Sequence, residues 1–132
     1  MVVYESIELD VSVEKAWNFL IDEKNWVEWW AKINKAKWLY PFRLFPGYVK
    51  YENGSESKVI GFIFDASYKS YITLESKFTV TSFKLIYSSY TGLKFEIAQE
   101  TKGVAFYSDG EKTILKIINE ALVKFKSCVE KE

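Results

Sequence analysis

The sequence predicts one α+β domain, residues 1–132, in which an antiparallel sheet packs against a long C-terminal helix. Three observations favour this class. The length of 132 residues suits a single domain. Residues 37–107 contain strand-forming runs separated by turn residues, and an apolar repeat of helical spacing follows residue 108. The predicted order is a strand, two short helices, several strands and one long helix.

The first strand is predicted over residues 3–9, where apolar Val3, Ile7 and Leu9 alternate with polar neighbours. Glu5 falls on the same face as these three residues, which is the face we assign to the interior. Ser12 follows as an N-cap candidate, because its hydroxyl can accept a hydrogen bond from the first turn of a helix. The helix after it carries one apolar stripe, formed by Val13, Ala16, Trp17, Leu20 and Ile21.

A second short helix is predicted to begin at Asn25, because Asn25 and Glu28 have the spacing of a capping box. Its apolar stripe consists of Trp26, Trp29, Trp30 and Ile33.

The central part of the chain predicts an antiparallel meander. Asn53-Gly54 is the strongest hairpin signal, since both residues tolerate the positive φ of a type I′ turn. Further breaks are predicted at Pro46-Gly47, Tyr90-Thr91-Gly92 and Lys102-Gly103. The strand-forming runs between the breaks are 58–64, 69–75, 78–87 and 93–99, which are rich in Tyr, Phe, Ile, Val and Thr.

The longest helix is predicted as one unbroken segment over residues 109–131, opened by the capping-box pattern Ser108-Asp109-Gly110-Glu111. The face with Lys116, Glu120 and Lys124 is predicted to be solvated. On the opposite face, apolar residues recur at spacings of three and four positions: Ile114, Ile117, Ile118, Ala121, Leu122, Phe125 and Val129.

Composition excludes several kinds of chemistry. The chain has no histidine and one cysteine, Cys128, so no histidine-based triad, Cys-His dyad, histidine-ligated metal site or internal disulfide can form. Cys128 is predicted to be a small packing residue. We therefore expect no cofactor and no metal.

Charge and hydropathy constrain the partners. Eighteen basic residues balance eighteen acidic ones, which gives no global field for nucleic acid or an anionic membrane. Apolar runs are too short to span a bilayer, so no integral membrane association is expected. The first ten residues lack the features of a signal peptide, which predicts a cytoplasmic location. A homodimer is compatible with the sequence.

The order of elements resembles the START-like helix-grip superfamily, in particular its polyketide cyclase/dehydrase and lipid-transport family. The resemblance is carried by SIELDVSVEKAW at residues 6–17, by FLID at residues 19–22, and by Trp26 and Trp29-Trp30. It implies a curved antiparallel sheet wrapped around the C-terminal helix, with a cavity between them. Because these positions are packing and capping residues, they indicate a fold and a pocket but no active-site residue.

Three functions follow as hypotheses from this resemblance. The first is binding or transport of a small hydrophobic ligand, such as a lipid, a polyketide or an aromatic molecule. The second is an enzyme of the polyketide cyclase/aromatase or dehydratase kind. The third is a protein-interaction module, similar to a co-chaperone, with the aromatic loop 38–48 as its contact surface. A carrier needs only shape and a few polar anchors, which places it first.

We expect a mostly apolar cavity between the long helix and the sheet. Aromatic residues on the strands and second helix can either line it or fill it, since rings pack to high density. The candidate lining residues are Trp30, Tyr40, Phe62, Phe64, Tyr71, Phe83, Phe95, Ile97, Ile117 and Ala121.

Two charged residues are further candidates. Glu5 is either a polar anchor at one end of the pocket or a solvated group at an open sheet edge. Arg43 is the sole arginine and lies in the aromatic loop. Its guanidinium either binds an anionic group at the cavity mouth or lays its stem over Phe42 or Phe45.

Overall fold

The order of helices and strands confirms the predicted α+β architecture. The computed structural model describes residues 2–30, 33–37, 47–52, 56–63, 69–76, 79–101 and 108–131 of the chain. The elements are β1 (Val2–Leu9), α1 (Val13–Ile21), a 3₁₀ turn (Glu23–Asn25), α2 (Trp26–Trp29), β2 (Ile33–Lys37), β3 (Tyr48–Tyr51), β4 (Glu56–Ile63), β5 (Lys69–Glu75), β6 (Thr79–Ser88), β7 (Gly92–Thr101) and α3 (Ser108–Lys131).

The described strands form one curved antiparallel sheet in the order β1-β7-β6-β5-β4-β3-β2. Strands β2 to β7 are neighbours in chain order, as the predicted meander requires. β1 pairs with β7 along its whole length, from Val2 opposite Glu100 to Leu9 opposite Leu93. β1 and β2 are therefore the two edge strands of this sheet.

Two of the predicted turns can be compared with the strands they join. Gly92 closes the β6–β7 hairpin with φ of 77°, a conformation that glycine adopts without steric cost. β3 and β4, which flank the predicted hairpin at Asn53-Gly54, are antiparallel partners. The turn residues 53–55, the aromatic loop residues 38–46 and the Lys102-Gly103 break lie outside the described residues.

The first two helices show one cap as predicted and one that differs. The Ser12 side chain accepts a hydrogen bond from the Lys15 N–H and begins α1. Asn25 does not cap α2, because its backbone is already helical and its side chain donates to the Phe19 carbonyl instead. Asp22 caps the preceding 3₁₀ turn by accepting from the Lys24 N–H. The helical segment thus begins at Asp22, and Ile33 belongs to β2.

Aromatic rings form the centre of the core. Phe95 on β7 and Phe125 on α3 stack with ring centroids 4.0 Å apart. Trp29 lies edge-on to Phe125 at 5.0 Å and to Phe83 at 5.6 Å, so it joins the helix to the sheet. We call this the ring cluster; its members are Phe19, Trp26, Trp29, Trp30, Phe83, Phe95 and Phe125.

α3 is unbroken over 24 residues, a rod of about 36 Å. It contacts β1 and β7 of the sheet, together with α1 and α2. Ala121, Phe125 and Val129 are buried, whereas Ile117 is 40% exposed although it belongs to the same apolar repeat. The helix therefore packs tightly in its C-terminal half and less tightly in its N-terminal half.

A polar clamp fixes the C-terminal half of α3 to the end of β1. The Glu130 carboxylate accepts hydrogen bonds from Lys126 Nζ at 2.7 Å and from the Asp10 N–H at 2.8 Å. Lys126 Nζ also donates to the Glu8 carbonyl at 2.8 Å. The hydrogen bond from Lys126, and then that from Asp10, hold the pKa of the Glu130 carboxyl below its ordinary value of 4.5.

We expect Glu130→Gln to lower the free energy of unfolding at neutral pH by less than about 1 kcal/mol, because the ion pair is largely exposed. Because the pKa of Glu130 is lowered in the folded protein, its contribution is complete above pH 4.5 and is lost as the pH falls through the folded-state pKa. Urea unfolding at several pH values should therefore show that the variant and the wild type differ less in free energy of unfolding below pH 4.5. Glu120→Gln on the same helix is the control, and a difference that persists in acid would contradict the clamp.

Candidate functional site

A cleft of about 960 Å³ lies between residues 113–124 of α3 and the inner face of the sheet. Binding sites for small organic molecules have volumes of roughly 300–1,000 Å³, so the cleft could hold one. Residues of β3, β4, β6 and β7 border its sheet side, together with Trp29 and Trp30. Its helix side is one face of α3, formed by Thr113, Lys116, Ile117, Glu120, Ala121 and Lys124.

The cleft occurs where the inner face of the sheet changes from apolar to polar. In the core, Leu85 of β6 is paired with Phe95 of β7, and the next inward pair is Phe83 with Ile97. One step further along the same strands the inward pair is Thr81 with Gln99. The ring cluster fills the core at the two apolar pairs, and the cleft lies over the polar pair of Thr81 and Gln99.

Three polar side chains form a patch on this part of the sheet, which we call the polar patch: Ser57, Thr81 and Gln99. Ser57 and Thr81 are 6% and 5% exposed, and Gln99 is partly buried. The Thr81 hydroxyl donates to Gln99 Oε1 at 3.4 Å. Nearby, Ser76 and Thr79 bond to each other, with their hydroxyl oxygens 2.7 Å apart. The polar patch presents hydroxyl and amide groups but no ionised group.

The three indole N–H groups of the α2 region have different partners. Trp26 Nε1 donates to the Leu20 carbonyl at 2.6 Å, and Trp30 Nε1 donates to the Tyr51 hydroxyl at 3.1 Å. Trp29 is 1% exposed, and within the described part of the chain its Nε1–H finds no acceptor. Trp29 itself borders the cleft.

Charged side chains of both signs stand at the mouth of the cleft. Lys116, Glu120 and Lys124 lie on the helix side, and Glu52 and Glu56 on the β3–β4 side. All five are exposed. The mouth therefore carries mixed charge in contact with water, while the floor is uncharged.

The structure brings only some of the predicted lining residues to the cleft. Trp30, Ile117 and Ala121 border it. Phe83, Phe95 and Ile97 are fully buried in the core instead, because Phe83 and Phe95 are part of the ring cluster and Ile97 packs in the same core. The walls of the cleft combine apolar surface with the polar patch on the sheet side.

One further prediction about facing needs correction. Tyr71 lies on the outer face of β5, because the buried residues of that strand are Ser70, Ile72 and Leu74. Glu5 lies on the predicted inner face, opposite the buried Ile97, but it is exposed, which agrees with the alternative of a solvated group at an open sheet edge. Tyr40, Arg43 and Phe64, and the side chain of Phe62, lie outside the described residues.

The sequence prediction missed the polar patch and the helix face that borders it. Lys116, Glu120 and Lys124 were expected to be solvated, and they are, but they also form the mouth of the cleft. The sequence does contain a signal for the polar patch, in the alternation of inward and outward residues along β6 and β7. Thr79 and Thr81 occupy the inward positions that precede Phe83 on β6, and Gln99 follows Ile97 in the same way on β7.

Solved structures share the fold over nearly the whole chain. A START superfamily protein from Mycobacterium smegmatis aligns with a TM-score of 0.70 at 11% identity, covering 98% of this chain and 97% of that one. An uncharacterized protein from Bacillus thuringiensis aligns with a TM-score of 0.68 at 12% identity and 98% coverage of both chains. A hypothetical protein from Helicobacter pylori gives a TM-score of 0.73 at 10% identity, covering 98% and 88%.

No protein-family model and no curated protein matches the sequence. At such low identities the structural likeness shows the fold alone. The fold is that of an α+β domain shared with a START superfamily protein, consistent with the helix grip. Of the described helices, none has the length and apolar character to cross a membrane.

A matched pair of substitutions tests the unpartnered indole. Trp26→Phe and Trp29→Phe remove similar volumes from the ring cluster, but only the first removes a hydrogen bond. We expect Trp26→Phe to cost about 1–3 kcal/mol more in the free energy of unfolding, because it leaves the Leu20 carbonyl unsatisfied. Denaturant unfolding followed by circular dichroism gives the comparison. An equal or larger loss in Trp29→Phe would mean that its N–H has an acceptor.

The absence of histidine predicts that folding needs no metal. Among the described residues, no group of three His, Cys, Asp or Glu side chains is placed to hold a metal ion. Carboxylates alone would suit only hard ions. A chelator should therefore leave the thermal midpoint unchanged. A fall of several degrees, reversed by adding back a divalent cation, would show that the prediction is wrong.

Proposed function

We propose that the protein binds a small molecule with an apolar body in the cleft between α3 and the sheet. The observation that carries this proposal is the cleft itself, with a volume of about 960 Å³ beside the buried indoles of Trp29 and Trp30. Ile117 and Ala121 supply apolar surface from the helix side. A ligand in the cleft would remove from water its own apolar body and the apolar surface of Ile117, which is 40% exposed.

The likeness to a START superfamily protein supports a ligand-binding use of this fold. A lipid, a polyketide or an aromatic molecule all have the required apolar body. A homodimer and a cytoplasmic location stay predictions from the sequence.

Binding is favoured over catalysis by where the titratable groups lie. General acid–base catalysis needs such groups within hydrogen-bond reach of the substrate, in environments that shift their pKa values. Among the described cleft residues, the carboxylates and amines stand at the exposed mouth, and the polar patch has none. The arrangement therefore suits holding a ligand better than cyclising or dehydrating one.

A neutral fluorescent dye, N-phenyl-naphthylamine, should bind with a micromolar dissociation constant and increase in emission. Ile117→Trp should weaken that binding at least about tenfold, because the larger side chain takes up part of the cleft. The measurement is a fluorescence titration.

Val123→Trp is the matched control, because Val123 is an exposed aliphatic residue on the same helix that does not border the cleft. It should leave dye affinity unchanged. Failure of the wild-type protein to bind the dye, or equal binding by Ile117→Trp, would overturn the proposal.

A further inference from the structure

The buried polar side chains of the sheet are concentrated at the cleft. Among the described residues, the buried polar side chains are Ser57, Ser70 and Thr81, and two of these border the cleft. Gln99 joins them through its hydrogen bond with Thr81. Covering a polar group costs free energy unless its hydrogen-bonding capacity is used, so spare donor and acceptor capacity at a binding surface favours a polar partner in the bound state.

We propose that the cleft selects an uncharged ligand that carries a hydroxyl or carbonyl group, and that this group contacts Thr81 and Gln99. This inference rests on the proposed binding function and adds the chemical class of the ligand. The ligand places its apolar body against Trp30 and Ile117 and its polar group on the polar patch.

The patch can both donate to and accept from such a group. Thr81 donates its proton to Gln99 Oε1, which leaves the hydroxyl oxygen of Thr81 as an acceptor and the amide nitrogen of Gln99 as a donor. The Ser57 hydroxyl has both capacities. A ligand hydroxyl can use either kind of partner, and a ligand carbonyl can use the donors.

The Trp29 indole gives independent support. Trp29 borders the cleft, and its buried Nε1–H has no acceptor among the described residues. A hydrocarbon ligand would cover the polar patch without using the donor and acceptor capacity that the Thr81–Gln99 hydrogen bond leaves over. A ligand with an oxygen acceptor can remove part of that cost.

The absence of charge at the patch disfavours an ionised ligand. Ser57, Thr81 and Gln99 carry no positive charge that could offset the lost hydration of a carboxylate placed on them. Lys116 and Lys124 are at the exposed mouth and share it with Glu52, Glu56 and Glu120. Exposed pairs of this kind contribute little to affinity, so they do not favour an acid.

Three ligands with one apolar body separate these possibilities: naphthalene, naphthol and naphthoate, each used to displace N-phenyl-naphthylamine near neutral pH. We expect naphthol to bind about tenfold more tightly than naphthalene, because it satisfies polar groups that naphthalene leaves unpaired. Naphthoate should bind more weakly than naphthol by at least the same factor, because its charge must be desolvated.

Thr81→Val and Gln99→Leu should remove most of the preference for naphthol, leaving its advantage over naphthalene at about threefold or less. The affinity for naphthalene itself should rise, because no polar group of the substituted side chains is then left unpaired beneath it. Thr73→Val is the matched control on the outer face of β5, and it should keep the full preference. Because Gln99 is only partly buried, Gln99→Leu serves as the test if Thr81→Val does not fold.

The outcomes distinguish the two proposals. Absence of binding by both dye and naphthalene would overturn the binding function. Dye binding together with naphthoate or naphthalene affinity equal to that of naphthol would overturn the ligand class alone. A preference for naphthol that survives both substitutions would also overturn it, since the polar patch would then not be its cause.

Discussion

The stacked contact between Phe95 and Phe125 is the constraint on which the rest of the molecule depends. It places the C-terminal half of α3 directly on β7, with ring centroids 4.0 Å apart. Trp29 then fits edge-on against Phe125 and Phe83, so α2 is held between the helix and the sheet. Aromatic pairs in such geometries stabilise a core beyond the area they bury. With this end fixed, the path of the rigid helix over the sheet is determined.

The cleft is a consequence of that fixed end. A rigid helix lying over β1 and β7 contacts one side of a curved sheet, and the rings of α2 fill the space beneath only its C-terminal half. Of the ring cluster, only Trp29 and Trp30 border the cleft, and the inward residues of β6 and β7 there are Thr81 and Gln99. Tight ring packing and a binding cleft therefore coexist, because they occupy neighbouring parts of one interface.

Sequence patterns predicted the elements governed by local contacts. Ser12 caps α1 and the apolar repeat defines α3, because both depend on residues three or four apart. Predictions that depend on distant neighbours were less successful. The alternation placed Glu5 correctly on the inner face, but it could not decide between a buried and a solvated carboxylate there. Phe83 and Phe95 were expected at the cavity, but their burial depends on where Trp29 and Phe125 meet them. Tyr71 was assigned to the wrong face of its strand.

The pairing of β1 with β7 also determines how the chain must fold. β1 is made first but can join the sheet only beside a strand that begins at Gly92, and the clamp links Asp10 to Glu130 across 120 residues. Closing so long a loop costs entropy before any contact compensates for it. Folds with such distant pairings reach the native state slowly for their size. The meander from β2 to β7, built from neighbouring hairpins, can form earlier, and the docking of β1 with α3 is then the late step that completes the ring-filled core.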